Sequence, residues 1–86
     1  MEQRRTKKKP ALNWAGPRIR QIRNQQGISQ DMLSARCEAR GLILSRSTLA
    51  KIEIQVSCLT DMELLTLAEV LHVKVKEFFP DRVKLF

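Results

Sequence analysis

The most informative stretch of this chain is SRSTLAKIE, residues Ser45–Glu53, because it predicts a short helix with two different faces. Ser45 suits the N-cap of that helix, since its hydroxyl can accept a hydrogen bond from a free amide of the first turn. Leu49 and Ile52 lie three residues apart and predict a face that packs against a core. The opposite face carries the hydrogen-bond donors of Arg46, Ser47 and Lys51.

Start and stop signals on the N-terminal side of this stretch predict two further helices. Pro17 suits the first turn of one helix, and Gly27 suits the left-handed residue that follows its end. Ser29 then caps a second helix, which we expect to run through Arg40 until Gly41 stops it. These signals place two helices ahead of the stretch quoted above.

The remaining sequence predicts two more helices and no strand. Thr60–Glu63 reads as a capping box, in which the side chains at its two ends satisfy each other's backbone amides. His72 stands where the fourth helix should end, and Lys74–Phe79 predicts a short fifth helix that Pro80 stops. No stretch shows the polar and apolar alternation of a strand, so we predict a compact all-α fold of five helices.

The net charge of +7 is concentrated near the N-terminus. Residues 1–23 hold eight Lys or Arg and one acidic residue, whereas residues 24–86 hold eight residues of each sign. A basic segment on a near-neutral domain indicates a polyanionic partner, with nucleic acid ahead of membrane, or else a solubilising tail. Its cations are Arg4, Arg5, Lys7, Lys8 and Lys9.

Composition divides the chain into three parts. Residues 1–13 form a basic arm that we expect to be flexible, residues 14–80 form the helical domain, and residues 81–86 form a C-terminal tail. Trp14 is predicted to anchor the point where the chain enters the domain, and the alternative for its indole is stacking on a nucleobase.

Composition also disfavours several classes of function. Cys37 and Cys58 lack a paired CxxC spacing and His72 is the single histidine, so we predict neither a disulfide nor a metal site. No nucleophile with a base and no glycine-rich phosphate loop points to an enzyme or a cofactor. No apolar run approaches the ~20 residues that span a bilayer, and the basic N-terminal residues lack the apolar region expected of a secretory signal. We therefore expect a cytoplasmic protein without a membrane or small-molecule ligand.

Taken in order, the motifs resemble the Xre/Cro/phage-repressor family of helix-turn-helix DNA-binding domains over Ile19–Phe79. The first helix carries IRQIR at residues 19–23, and the second region carries GISQDML at residues 27–33. The helix quoted first follows, and then LLTLAEVLHV at residues 64–73 and EFF at residues 77–79. Each motif alone is common, but their order and spacing make the resemblance specific.

The resemblance implies roles for individual residues. In the family the third helix lies in the major groove of DNA, while the second crosses the phosphate backbone. Base-reading positions then fall on Arg46, Ser47 and Lys51, and Arg46 suits guanine O6 and N7. The positions near the phosphate backbone are Gln30, Ser45, Thr48, Gln55 and Ser57. The family's link between first and third helices implies a structural salt bridge between Arg23 and Glu53.

Two departures from the family pattern lie next to the third helix. The interval from Leu33 to Ser45 is about five residues longer than usual, which we assign to a second helix extended through Arg36 and Arg40. The family's glycine shortly after the third-helix glutamate is replaced by Ile54–Gln55, so that loop is expected to follow another path. Both departures affect how deeply the donors of the third helix reach.

The leading prediction is sequence-specific binding of double-stranded DNA by a transcriptional regulator, most simply a repressor that acts as a homodimer. Candidate dimer contacts are Leu67, Val70, Val83, Leu85 and Phe86, and the alternative is that these residues complete the core of the monomer. Two alternatives stay open. One is an interaction module, such as an antitoxin or adaptor, that binds a protein partner. The other is a non-specific nucleic-acid binder whose basic arm follows the DNA backbone or enters a groove.

Overall fold

The computed structural model of the protein describes residues 10–80 and consists of helices joined by short connections. The elements are α1 (Gly16–Gln25), α2 (Gln30–Glu38), α3 (Arg46–Glu53), α4 (Asp61–Leu71) and a 3₁₀ helix (Val75–Phe78). No strand occurs between residues 10 and 80, in agreement with the all-α prediction.

The predicted short fifth helix is a 3₁₀ helix of four residues, Val75–Phe78, so the part of the chain between residues 10 and 80 has four α-helices rather than five. Lys74 before it and Phe79 after it both have extended backbones. Pro80 disfavours a helical backbone at Phe79, since the proline ring clashes with the preceding residue in that conformation. Only Val75–Phe78 remains between these two extended residues, and four residues is about the usual upper limit of a 3₁₀ helix.

Side-chain caps begin three of the α-helices at the predicted residues. Ser29 before α2 and Ser45 before α3 each accept a hydrogen bond from the amide three residues later. Thr60 and Glu63 form the predicted capping box at the start of α4. Each such cap stabilises its helix by about 1 kcal/mol, so the helix starts are determined locally by sequence.

All four α-helices are followed by a Schellman motif, in which an amide two to four residues past the helix bonds to the carbonyl five residues earlier. The left-handed residue of the motif is Gly27 after α1 (φ 69°) and Gly41 after α2 (φ 86°). It is Gln55 after α3 (φ 69°) and His72 after α4 (φ 58°). The last two carry side chains in a conformation that favours glycine.

Helix α2 ends at Glu38 rather than running through Arg40 as predicted. The amide of Gly41 bonds to the Glu38 carbonyl at 2.9 Å, and the amide of Leu42 bonds to the Cys37 carbonyl at 3.0 Å. These bonds close the helix, and the chain then continues without regular structure to the cap of α3. Residues 39–45 therefore lie between α2 and α3, and Arg40 belongs to this connection rather than to α2.

The core lies where the four α-helices and the 3₁₀ helix meet. Its fully buried side chains come from every element and include Ile19, Leu33, Leu49, Leu71 and Phe78. Helix α3 packs against α1 and α2, and α4 packs against α2. One face of α3 is therefore held by both neighbouring helices.

Two of the predicted dimer contacts belong to this core. Leu67 and Val70 are 0% and 3% exposed, so they complete the monomer and offer no surface to a second chain. The other three candidates, Val83, Leu85 and Phe86, lie outside the described residues.

The chain enters the domain through Leu12–Ala15, and Trp14 is not the anchor that the sequence predicts. The side chain of Trp14 is 57% exposed, whereas Ala15 is buried. Leu12 donates its amide to the carbonyl oxygen of Gln55 at 3.0 Å. Leu12 and Asn13, which the sequence assigns to the arm, are thus bonded to the helical domain.

Candidate nucleic-acid interface

A buried ion pair joins α1 to α3 behind the donor-rich face. Arg23 donates to the two carboxylate oxygens of Glu53 at 2.7 Å and 3.0 Å, and to the carbonyl oxygen of Ile28 at 2.8 Å. The side chains of Arg23 and Glu53 are 10% and 2% exposed. The hydrogen bond with Glu53 raises the pKa of Arg23 and outweighs burial, which acts in the opposite direction. The guanidinium is therefore charged.

Helix α2 reaches the same carboxylate through its first residue. Gln30 donates from Nε2 to Oε1 of Glu53 at 3.0 Å. That bond uses one hydrogen of the Gln30 amide and leaves the second free to donate outward. Glu53 thus accepts hydrogen bonds from α1 and α2, which fixes the angle of α3 against both helices.

The exposed face of α3 carries the three residues predicted to read bases. Arg46, Ser47 and Lys51 are exposed, while Leu49 and Ile52 on the opposite face are fully buried. Ser47 and Lys51 lie one turn apart on this face, and Arg46 opens the helix. A line of donors therefore runs along the solvent side of α3, with the core directly behind it.

Ser45 and Thr48 form hydrogen bonds that cap the N-terminus of α3. Ser45 Oγ accepts a hydrogen bond from the amide of Thr48 at 3.1 Å and donates to Oγ1 of Thr48 at 3.0 Å. The hydroxyl of Ser45 is thereby used in the cap, whereas Thr48 keeps its own hydroxyl hydrogen for an external acceptor. The positive end of the helix dipole lies at the same place and favours an anion.

Arg46 approaches an acidic residue of α2 that sequence reasoning did not single out as a partner. Its Nε atom lies 4.0 Å from Oδ1 of Asp31, and the two side chains are 68% and 73% exposed. An exposed pair at this distance contributes little to stability. Asp31 nevertheless places a negative charge beside the foremost donor of α3.

The loop after α3 is bonded to the N-terminal segment. Asn13 Nδ2 donates to the carbonyl oxygens of Ile52 at 3.1 Å and Ser57 at 2.7 Å. Gln55 Nε2 donates to the carbonyl oxygen of Asn13 at 3.0 Å, which uses one hydrogen of that amide. Gln55 and Ser57, two of the predicted phosphate contacts, therefore lie together in a loop with a defined path.

Sequence reasoning missed Asn13 and Gly16 as residues that position α3. Asn13 Oδ1 accepts the amide of Gly16 at 2.6 Å, which is a local signal of a helix start. A Cβ atom on Gly16 would lie 2.0 Å from the carbonyl oxygen of Ile52. Helix α1 therefore begins in direct contact with the end of α3, a contact that no local pattern indicates.

The cationic residues of the predicted arm, Arg4, Arg5, Lys7, Lys8 and Lys9, lie outside the described residues. The described chain begins beside the loop after α3, because the amide of Leu12 bonds to the carbonyl of Gln55. The segment that connects the arm to the domain is thus next to the C-terminal end of α3.

Other kinds of site find little support between residues 10 and 80. No group of three His, Cys, Asp or Glu side chains in this part is placed to hold a metal ion. None of its helices is both long enough and apolar enough to cross a bilayer. Cys58 is exposed, while burial raises the pKa of the Cys37 thiol, an effect that the nearby charge of Arg40 partly opposes.

Comparison with known proteins points to a family rather than to an individual relative. No curated protein and no solved structure matches the chain. The model of a helix-turn-helix family matches residues 19–78, which include most of α1, all of α2, α3 and α4, and the 3₁₀ helix. The chain therefore belongs to the helix-turn-helix family of the Xre/Cro/phage-repressor type, a family of DNA-binding transcription regulators.

Proposed function

We propose that the protein is a sequence-specific repressor of transcription that reads double-stranded DNA with α3 in the major groove. The observation that carries this proposal is the exposed donor face of α3, braced from behind by the buried pair of Arg23 and Glu53. A rigid helix with donors on one face can match the acceptors that base edges present in that groove. Membership of the family supports DNA as the partner.

The contacts divide into base reading and positioning. Arg46 is assigned to guanine O6 and N7, where a bidentate pair discriminates by about 1–3 kcal/mol against a wrong base. Ser47 and Lys51 are assigned to neighbouring base edges on the same face of α3. Phosphate contacts are assigned to Gln30, Ser45, Thr48, Gln55 and Ser57. Of these, Gln30, Thr48 and Gln55 retain a hydrogen that the described part of the protein does not use.

The cations of residues 1–9 are assigned to the DNA backbone or to an adjacent groove. They are Arg4, Arg5, Lys7, Lys8 and Lys9. Each phosphate that a cation neutralises steepens the salt dependence by about 0.9 in log K per log unit of salt. The arm thus adds affinity and a faster association rate, while α3 provides the sequence preference.

A homodimer is the form that fits this role, since one small domain contacts too few base pairs to select a genomic site. With Leu67 and Val70 buried, we assign the dimer contact to exposed apolar residues at the end of α3, in the next loop and on α4. These are Ile54, Val56, Met62 and Leu65, which are 62%, 52%, 66% and 54% exposed. The same side chains favour the second candidate function, a module that binds a different protein.

The test is selection of bound sites from a random duplex library at physiological salt, with the full chain. We expect an enriched palindrome with half-sites about one helical turn apart. Arg46→Ala should relax the preference at one position of each half-site. Arg36→Ala removes an exposed arginine from α2 instead and serves as the matched control, with the preference unchanged.

Each alternative predicts a different result of this selection. Retained DNA without enrichment would indicate a non-specific binder, and deletion of residues 1–9 should then abolish retention. Failure to retain DNA at all would favour the protein-interaction module. An enriched motif that Arg46→Ala leaves unchanged would mean that the assignment of base-reading positions on α3 is wrong.

A further inference from the structure

Ile43 is the most exposed of the large apolar side chains between residues 10 and 80, at 76%. It lies in the connection between α2 and α3, two residues before the Ser45 cap. No role in the core or in helix capping accounts for it. We infer that Ile43 is a further specificity-determining residue, which contacts the C5-methyl group of a thymine in the major groove.

Hydrogen bonds hold the backbone on both sides of Ile43, so the exposure of the Ile43 side chain follows from the conformation of the connection. On one side the Leu42 amide bonds to the Cys37 carbonyl at 3.0 Å, and the Leu42 side chain packs against the core. On the other side the Leu44 carbonyl accepts the Ser34 hydroxyl at 2.6 Å, and Leu44 is 3% exposed. Ile43 therefore points outward between two anchored leucines.

The position of Ile43 is suited to contact DNA beside the bases assigned to Arg46. Two residues of extended chain span at most about 7 Å, so Ile43 stays close to the N-terminus of α3. Successive nucleotides of one strand are about 3.4 Å apart along the helix axis. The isoleucine is thus within one to about three base pairs of the Arg46 contact. This inference rests on the proposed placement of α3 in the groove.

The chemistry of the side chain selects thymine among the bases. Isoleucine has no donor or acceptor, so it cannot pair with the polar edges of guanine, cytosine or adenine. The C5-methyl of thymine is the apolar group in the major groove, and aliphatic side chains contact it. Contact between the Ile43 side chain and the thymine methyl removes the apolar surface of both groups from water, which stabilises the complex. A base without that methyl group loses this stabilisation.

The experiment uses the site selected by the wild-type chain, with single thymines replaced in turn by deoxyuridine, which lacks only the methyl group. We expect one replacement in each half-site to weaken wild-type binding by about fourfold, the effect of one methyl-sized group. Ile43→Ser should bind the thymine and uracil sites equally at that position. Ile43→Val keeps an aliphatic surface and should retain most of the preference.

Leu12→Ser is the matched control, since it removes an exposed aliphatic side chain that has no assigned role in DNA binding or dimerisation and should leave the thymine preference unchanged. If Ile43→Ser shows the same ratio of thymine to uracil affinity as wild type at every position, the inference is overturned while the proposed function stands. A uniform loss of affinity for both sites would also overturn it, in favour of a contact with the sugar and phosphate. If the wild-type chain enriches no site, the proposed function itself fails, and the inference fails with it.

Discussion

The guanidinium of Arg23 on α1 and the carboxylate of Glu53 on α3 form two hydrogen bonds, at 2.7 Å and 3.0 Å, almost out of contact with solvent. Gln30 of α2 adds a third hydrogen bond to the same carboxylate. Glu53 is the last residue of α3, so this network fixes the end of the helix that lies farthest from Arg46. The direction in which α3 presents its donors depends on it.

Removal of one member of this pair should destabilise the fold strongly. Arg23→Met leaves the Glu53 carboxylate buried with Gln30 as its remaining side-chain donor, and we expect a loss of about 3–5 kcal/mol in the free energy of unfolding. Urea denaturation followed by circular dichroism measures this loss. Arg20→Met, an exposed arginine of the same helix, is the control and should cost less than about 0.5 kcal/mol.

The double variant Arg23→Met, Glu53→Leu tests whether the unpaired carboxylate causes that loss of stability. Two apolar residues leave no buried charge, so most of the stability should return. A double variant as unstable as Arg23→Met would contradict the view that an unpaired carboxylate causes the loss.

Gly16→Ala should destabilise the protein, although alanine is the better helix former. In an exposed helix interior this change gains about 1 kcal/mol. Here the new Cβ would lie 2.0 Å from the Ile52 carbonyl oxygen and 2.9 Å from Asn13 Oδ1, so α1 and α3 must move apart. We expect a net loss of about 1–3 kcal/mol in thermal or urea unfolding. Gln25→Ala, at an exposed position of α1, is the control; equal effects of the two changes would sink the idea of a close contact.

Contacts between residues close together in the sequence are predictable here, whereas contacts between distant residues are not. The starts of α2, α3 and α4 are predictable because Ser29, Ser45 and Thr60 act on amides three residues away. The Arg23–Glu53 pair spans 30 residues and was accessible only through resemblance to a family. Local sequence patterns therefore predict the helices, but by themselves they do not predict the long-range contacts that orient the helices.

The contacts of Asn13 and Trp14 illustrate the same limit. Asn13 bonds to Ile52 and Ser57, 39 and 44 residues away, and its side chain is of a common loop type. Trp14 is large and apolar, which favours burial, yet it is exposed and the small neighbouring Ala15 is buried. The choice between adjacent residues depends on the shape of the packed helices, and that shape is a property of the whole domain.

Gln55 should tolerate glycine better than alanine. Its backbone φ of 69° costs a residue with a side chain about 1 kcal/mol, while its Nε2 bond to Asn13 offsets part of that cost. Gln55→Ala loses the bond and keeps the strain, whereas Gln55→Gly loses both. We therefore expect Gln55→Gly to unfold at higher urea concentration than Gln55→Ala, because its free energy of unfolding should be about 1 kcal/mol larger. The reverse order would mean that the loop can leave its left-handed conformation without loss.

Asp31→Asn should tighten DNA binding. The change removes a negative charge from the edge of the proposed DNA-binding face and releases Arg46, whose Nε lies 4.0 Å from the Asp31 carboxylate. Exposed ion pairs contribute about 0.2–1 kcal/mol, so we expect up to about a fivefold gain in affinity, larger at low salt. Fluorescence anisotropy on a selected duplex measures it. Glu38→Gln removes an exposed acidic residue at the other end of α2 and should have a smaller effect.

The two cysteines should differ in reactivity, and the slower one should report global unfolding. Cys58 is exposed, so a thiol reagent should modify it within seconds to minutes at neutral pH. Cys37 is fully buried in the core and should react only in unfolded molecules. In a Cys58→Ser background, the modification rate of Cys37 should therefore rise with urea in step with the unfolding equilibrium.

The raised pKa of Cys37 also predicts the pH dependence of stability. Burial raises this pKa above its ordinary value of 9.0, so the folded state holds the thiol proton more tightly than the unfolded state. The contribution to stability is complete below pH 9.0 and is lost as pH rises through the folded-state pKa. Comparison of Cys37→Ala with its parent, both in the Cys58→Ser background, isolates this contribution: the parent should lose stability more steeply above that pH. Parallel curves for the two proteins would show that the Cys37 thiol has the same pKa folded and unfolded.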